Sequence, residues 1–416
     1  MKNSGIEWVG DIPDNWVIHP LYCFFDERVN KNILGNEQNL LSLSYGKIKR
    51  KDINSSEGLL PNNYNSYNIV DKSDIVIRPT DLQNDKRSLR TGLVEERGII
   101  TSAYIALKPK KSTFSKFFHY VLHIYDVEKV FYNMGNGVRQ GLNYDEFSKL
   151  LMIVPPIDEQ ERIAEFLDKK CGEIDGLIAN LKIQIQTLEQ YKRSVITEAV
   201  TKGLNPSAEM KDSGAGWMPT VPKHWSVEKF KFHLRIRAQK NMGDKQVLSL
   251  YRDYGVVPKD SRDDNHNVTS EDTSSYRFVR VGDFVVNKMK AWQGSVAVSQ
   301  YEGIVSPAYF VYEFTDNLFN KQYFHYLLRN KSYTTEFMRL SGGIRVGQWD
   351  LPAEALENIL VLIPPLEEQQ QIADFLDNKC AQIDEIISAK QSQIETLESY
   401  KKSLIYEYVT GKKEVI

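Results

Sequence analysis

Two stretches of the chain carry apolar residues at a spacing of seven. In the first, Ile174, Leu181, Leu188 and Val195 recur in one register, with Ile178 and Ile185 filling the alternate position. In the second, Ile383, Leu397 and Leu404 share a register and Ile387 and Ile394 fill the gaps; Lys390 stands where a leucine is expected. A heptad seam held for about three repeats predicts coiled-coil helices rather than ordinary amphipathic ones. Each stretch follows a proline pair, Pro155-Pro156 or Pro364-Pro365, which cannot continue a helix backwards. In the first, Asp158 with Glu161 three residues on suggests a capping box. A helix from Asp158 to Thr201 would be ~65 Å long at ~1.5 Å per residue. Gly172 and Gly176 are the only potential breakers within it.

Outside these stretches the apolar pattern is short and mixed. Leu40–Leu43, Asp74–Ile77 and Ser102–Leu107 read as strands bounded by Asn, Asp, Gly or Pro, and Phe114–Met134 reads as a pair of helices. Later the order returns, with strands at Phe278–Asn287 and Ala308–Phe314 and a helix over Lys321–Leu340. Mixed α/β (α+β) lobes are expected.

The return is a duplication. Pro155-Pro156 reappears as Pro364-Pro365, an offset of 209 residues that also links Phe166-Leu167-Asp168 to Phe375-Leu376-Asp377, Cys171 to Cys380, and Trp8 and Trp16 to Trp217 and Trp225. The helical stretches are near copies, whereas the segments before them share only landmarks such as Asp74 and Asp283. One frame therefore carries two different surfaces. The expected architecture is two variable domains separated by two long antiparallel coiled-coil helices, with an internal pseudo-twofold repeat. Boundaries are expected at 1–152, 153–204, 205–361 and 362–416. Antiparallel pairing of the helices would put the variable domains at opposite ends of a rod.

Composition narrows the class. A chain of 416 residues suits two domains plus connectors. Its three cysteines give neither a disulfide framework nor metal spacing. No apolar run approaches a membrane span, and no signal-peptide core follows Met1, so a cytoplasmic location is expected. The formal net charge of −2 argues against indiscriminate nucleic-acid binding but leaves room for local basic faces.

Three such faces stand out. The first follows the Asp-led strand: Arg78, Lys86, Arg87 and Arg90 in one half, and Lys288, Lys290, Trp292 and Gln293 in the other. The second is a glycine-flanked arginine loop with Arg139, Gln140 and Asn143, answered by Arg345 and Gln348. Cations meet phosphates, and arginine or side-chain amides can bond base edges in pairs. Either loop alone would pass for a solvated turn; recurrence at equivalent places favours function. The third face, Lys47, Lys49 and Arg50 with Arg252 in the other half, is weaker, because lysine runs usually just face water.

Catalytic constellations are missing. The proline pairs follow Val154 and Ile363 rather than the Asn or Asp of an amino-methyltransferase loop, and no phosphate-binding glycine motif occurs. His119 and His325 fall on apolar helices and read as packing residues. A chain that binds without doing chemistry is expected.

Ser4-Gly5-Ile6-Glu7-Trp8 with Ile12-Pro13-Asp14-Asn15-Trp16, their echo over Ser213–Trp225, and Pro-Pro-x-x-Glu-Gln-x-x-Ile-Ala-x-Phe-Leu-Asp in both halves resemble the specificity (S) subunit of type I restriction-modification systems. The resemblance spans essentially the whole chain. It implies two target-recognition domains, each reading half of a bipartite, asymmetric site in double-stranded DNA. It further implies two modification (M) subunits that carry S-adenosylmethionine and methylate adenine, and restriction (R) subunits that use ATP and magnesium; no cofactor would sit on this chain. The helices would act as a ruler, so that four added residues, ~6 Å, would widen the site by about two base pairs. A coiled-coil adaptor with no DNA role explains the helices but not the basic, amide-rich loops, and a self-sufficient nuclease or methyltransferase lacks its catalytic residues.

Overall fold

A computed structural model describes the chain except for residues 55–62, 81, 83–88, 133, 135–140, 241, 243, 262–271, 344–348 and 416. It mixes helix and strand in two compact units. The first joins Met1–Leu181 to Ser392–Ile416, and the second is Lys182–Gln391.

In the first unit a four-stranded antiparallel sheet runs in the order Phe25–Glu27, Ile105–Pro109, Ile75–Ile77, Thr91–Leu93. The second unit repeats it as Leu234–Ile236, Tyr309–Phe314, Phe284–Asn287, Val296–Val298. Of the two central strands in each sheet, Ile75–Ile77 and Phe284–Asn287 are buried along their length, which accounts for their runs of Ile and Val. The aspartate ahead of each central strand has a structural use. Asp283 takes a bidentate pair from Arg237 at 2.7 and 2.8 Å and also accepts the Arg280 N–H at 2.8 Å. Asp74 does the same with Arg28 and the Asp71 N–H. Burial nonetheless pushes the Asp74 carboxyl above its ordinary value, against the pull of Arg28.

Two sequence expectations need correction here. Phe114–Met134 is not a helix pair: one helix spans Ser115–Val127, and the described residues after it form turns. Buried Asp126 accepts from the Arg90 N–H and the Tyr132 hydroxyl, and Lys129 reverses the chain at φ 59°. Conversely, Lys321–Leu340 is two helices, Lys321–Arg329 and Lys331–Leu340. Asn330 makes the break. Its Oδ1 accepts the N–H groups of Ser332 and Tyr333, and its Nδ2 donates to the Leu327 carbonyl at 2.7 Å.

Each lobe enters its long helix through one elbow. Val17–Pro20 pairs with Leu151–Val154, and Ser226–Lys229 pairs with Leu360–Ile363. The proline pair follows, then helices Ile157–Lys202 and Leu366–Val409. The motif glutamines close the turn from inside: Gln160 Nε2 donates to the Pro155 carbonyl at 2.9 Å, and Gln369 Nε2 to Pro364 at 2.8 Å. The first helix starts two residues earlier than the capping-box reading requires. The Pro156 carbonyl accepts from Glu159 and Gln160, so Asp158 lies in the first turn, where its charge suits the positive end of the helix. Glycines 172 and 176 do not interrupt it.

The seam faces inward as its spacing predicts. Ile174, Ile178, Ile383, Ile394 and Leu404 are buried, and Leu181, Ile185, Leu188, Val195, Ile387 and Leu397 are half-buried. Within each unit the two helices run antiparallel. In the first, Lys401 Nζ meets Asp175 at 2.6 Å and Phe166 stacks on Tyr408. In the second, Lys192 Nζ meets Asp384 at 2.5 Å, and Lys390 donates to Gln184 Oε1 at 2.5 Å. The lysine that breaks the heptad pattern is thus satisfied by a side-chain amide.

Three measurements check this account. Asp283→Ala should cost roughly 3 kcal/mol by taking the bidentate partner from the buried Arg237, which is left with Glu313 alone at 2.9 Å. Arg235→Ala, which removes an exposed partner of Glu313, should cost no more than about 1 kcal/mol in the same denaturant titration. Replacing Lys390 by leucine should raise the melting temperature, because a polar seam position is kept at a cost in stability. Acid should weaken the fold. Burial holds His119 at about 4 and His123 and His325 at about 3, below the ordinary 6.5. The unfolded chain therefore takes up these protons first. Their contribution is complete above about pH 6.5 and is lost as the pH falls toward 4 and 3. Melting temperature should drop from pH 7 to 5, with a shallower slope in His325→Leu.

Candidate nucleic-acid interface

The two loops singled out by composition leave different ends of each lobe's sequence, yet they meet. In the second unit the strand Phe284–Asn287 delivers Lys288, whose carbonyl accepts the Leu351 N–H at 2.9 Å. In the first unit the strand Ile75–Ile77 leads to Pro79, whose carbonyl accepts the Leu142 N–H at 3.1 Å. Both members of this bond keep the repeat offset of 209 residues. Sequence reading missed the junction because it is a backbone bond that no side chain announces; the repeat marks the four positions as equivalent but not as bonded.

Side chains reinforce the junction in the second unit. Lys288 Nζ lies 3.2 Å from Asp350, and the Trp292 and Trp349 rings meet at 5.3 Å. Lys290 and Gln293 are exposed beside them, on the turn that holds the short helix Ala291–Gln293. Neither Trp349 nor Asp350 was a sequence candidate. Lys288 is not a bare cation, since Asp350 occupies it.

The first unit is built differently. Arg78 is half-buried, and its N–H bonds the Arg90 carbonyl. Arg90 is a correction to the sequence reading. It is fully buried, its Nε donates to the Tyr132 hydroxyl at 3.0 Å, and its guanidinium also bonds the Thr80 carbonyl. A side chain so enclosed braces the loop from beneath and does not face a phosphate. Asn143 is likewise engaged: its side chain caps the helix Tyr144–Phe147 by accepting the Glu146 N–H at 2.9 Å. Lys86, Arg87, Arg139 and Gln140 lie outside the described residues, as do Arg345 and Gln348 of the second unit.

The third face is a hairpin, Leu41–Ser44 paired with Lys47–Arg50. Lys49 is exposed there, Lys47 lies 3.5 Å from Asp175, and Arg50 forks onto Glu96. The hydrogen bond and charge of Glu96 raise the Arg50 pKa, while Arg50 lowers that of Glu96. In the second unit Arg252 is exposed and forks onto its neighbour Asp253 at 3.1 and 3.2 Å. The described cations of these surfaces are therefore largely matched with acids. The arrangement offers paired, repositionable charge rather than a uniformly basic field.

Comparison with known proteins agrees with the duplicated plan. A family profile described as the type I restriction modification DNA specificity domain matches residues 42–187 and again 236–396. The type I restriction enzyme MjaVIII specificity subunit of Methanocaldococcus jannaschii is 23% identical over 346 residues, covering 77% of this chain and 75% of that protein. A second specificity-subunit sequence of the same organism, named for MjaX, is 24% identical over 437 residues, covering 98% and 96%. Among solved structures, the HsdS subunit from Thermoanaerobacter tengcongensis shares the fold with a TM-score of 0.52, at 13% identity and with 99% of this chain covered and 100% of that one. A chain from a structure of complex assembly and conformational transition of the type I R-M system superposes with a TM-score of 0.70, at 14% identity and 97% and 100% coverage. Two matched domains, each built on one sheet, one elbow and one pair of converging loops, place the chain in the family of type I restriction-modification DNA specificity subunits.

Proposed function

We propose that this chain reads a bipartite, asymmetric site in double-stranded DNA, one half-site per lobe, and performs no chemistry itself. The observation that carries this reading is the shared junction beneath unlike surfaces. The same backbone bond joins the two polar loops in both lobes, whereas the residues they display differ: Arg78 and Thr80 in one, Lys288, Lys290, Trp292 and Gln293 in the other. Identical support with divergent display is what two readers of unlike sequences need. Described cations at the loops and hairpins would serve phosphates, and Gln293 a base edge.

The near-copied helices would give two equivalent docking faces to two M subunits, to which R subunits are added. Apolar residues lie outside the seam at repeat-equivalent places, Leu177 with Ile386 and Tyr191 with Tyr400, each roughly half exposed. Paired exposed apolar sites of this kind suit a partner present in two copies. S-adenosylmethionine would belong to M, and ATP and magnesium to R, in a cytoplasmic complex. Among the described residues no helix is long and apolar enough to cross a membrane. A DNA-independent adaptor would use the same helices but has no call for the converging loops.

Methylome sequencing of a host expressing the chain with its neighbouring M subunit should yield one two-part, asymmetric adenine-methylated motif. A soluble, assembled complex that adds no motif would overturn the reading. The helices also set a distance. Inserting one heptad in each helix, after Leu181 and after Lys390, should lengthen the pair by ~10.5 Å and widen the spacer by about three base pairs with both half-sites unchanged. An unaltered spacer in the same assay would refute the ruler.

A further inference from the structure

Met289 stands between Lys288 and Lys290 where the two loops of the second unit meet, and it is 50% exposed. An exposed thioether alone says little. This one has a fixed base. Its N–H donates to Asn287 Oδ1 at 3.2 Å, and its carbonyl accepts Trp292 Nε1 at 3.1 Å. Trp292 is itself set against Trp349, and Gly294, at φ 89°, closes the turn. Both polar groups of the Met289 backbone are thereby satisfied locally, and a half-exposed, flexible apolar side chain is flanked in sequence by two lysines.

We propose that Met289 touches the C5 methyl group of thymine in the major groove and so selects thymine in the half-site read by the second unit. The proposal rests on the DNA-reading function argued above. Lysines on both sides favour phosphates and base acceptors, and the apolar feature that the major groove displays among them is the thymine methyl. Insertion between base pairs is the other use of an apolar side chain on DNA. It demands a projecting wedge and an unstacking cost of a few kcal/mol, whereas half of the Met289 surface already rests on protein. In the first unit the repeat-equivalent position is Thr80, a shorter, half-buried side chain. Selection through the Met289 thioether therefore belongs to the half-site that the second unit reads.

The test uses the full chain assembled with its M subunits, on duplexes carrying the motif found by methylation sequencing. Thymines of each half-site in turn are replaced by deoxyuridine, which lacks only the methyl group. With the natural chain, replacement in the half-site that the second unit reads should weaken binding about fourfold, the effect of one buried methyl. Met289→Ala should bind the thymine duplex as weakly as the deoxyuridine one, with no difference left between them. Lys290→Ala should instead weaken both duplexes alike. Equal binding of thymine and deoxyuridine duplexes by the natural chain overturns the proposal, and so does discrimination that survives Met289→Ala. Failure of the underlying DNA reading looks different: the assembled natural complex would then methylate and bind no specific site at all, removing this proposal with it.

Discussion

A helix of 46 residues with a seam one or two side chains wide is not stable by itself; the seam has to be covered. In each unit the cover is the other copy of the same helix, running the opposite way. This constraint decides how the chain is partitioned. The last 25 residues, Ser392–Ile416, belong with the unit that begins at Met1, and the last turns of the first helix belong with the second unit. Energy and direction come from different residues. The apolar seam supplies most of the stabilisation. The pairs Asp175–Lys401 and Lys192–Asp384 are partly exposed and contribute at most about 1 kcal/mol each, yet both are made only in the antiparallel arrangement.

The legibility of this protein in its sequence follows the same division. Heptads, proline pairs and the repeat are local or periodic, so the long helices could be read directly. The direction of their pairing, expected to be antiparallel, is fixed by contacts such as Asp175–Lys401 and Lys192–Asp384. The motif glutamines were legible only as repeated letters. Their use, an inward amide on a proline carbonyl, is a tertiary fact. The errors have local physical causes. Asn330 splits one helix by capping the next, and Asp126 ends another by bonding Arg90 and Tyr132. Both residues are polar groups whose backbone bonding overrode a continuous apolar period. Arg90 was misplaced for a related reason. A cation in a basic loop looks solvent-facing until its buried partners are known, and none of those partners is adjacent in sequence.

The duplicated frame also shows what divergence leaves alone. Arg28–Asp74 and Arg237–Asp283, Gln160 and Gln369, and the Pro79–Leu142 and Lys288–Leu351 bonds keep the repeat offset of 209 residues, although the lobes around them share only landmarks. All are buried or backbone interactions. Changing one would leave a polar group unsatisfied in the interior, which costs more than any ordinary surface substitution. The loop side chains carry no such penalty. The fold thus permits variation where a ligand would be met and resists it underneath.

Charge pairing on those loops has a consequence for the proposed DNA reading. Lys47, Arg50, Arg252 and Lys288 already hold acids, and the chain as a whole carries a net charge of −2. A phosphate approaching Lys288 must compete with Asp350, and one approaching Arg252 must compete with Asp253. Each exposed pair is worth little, so exchange is cheap where several phosphates arrive in the correct geometry together. A single misplaced phosphate gains almost nothing, because it only replaces one carboxylate by another anion. Preformed acid partners therefore lower affinity for arbitrary duplex more than for the matched site. In a reader that must search a genome of competing sequence, the ratio between those two affinities matters more than the strength of either.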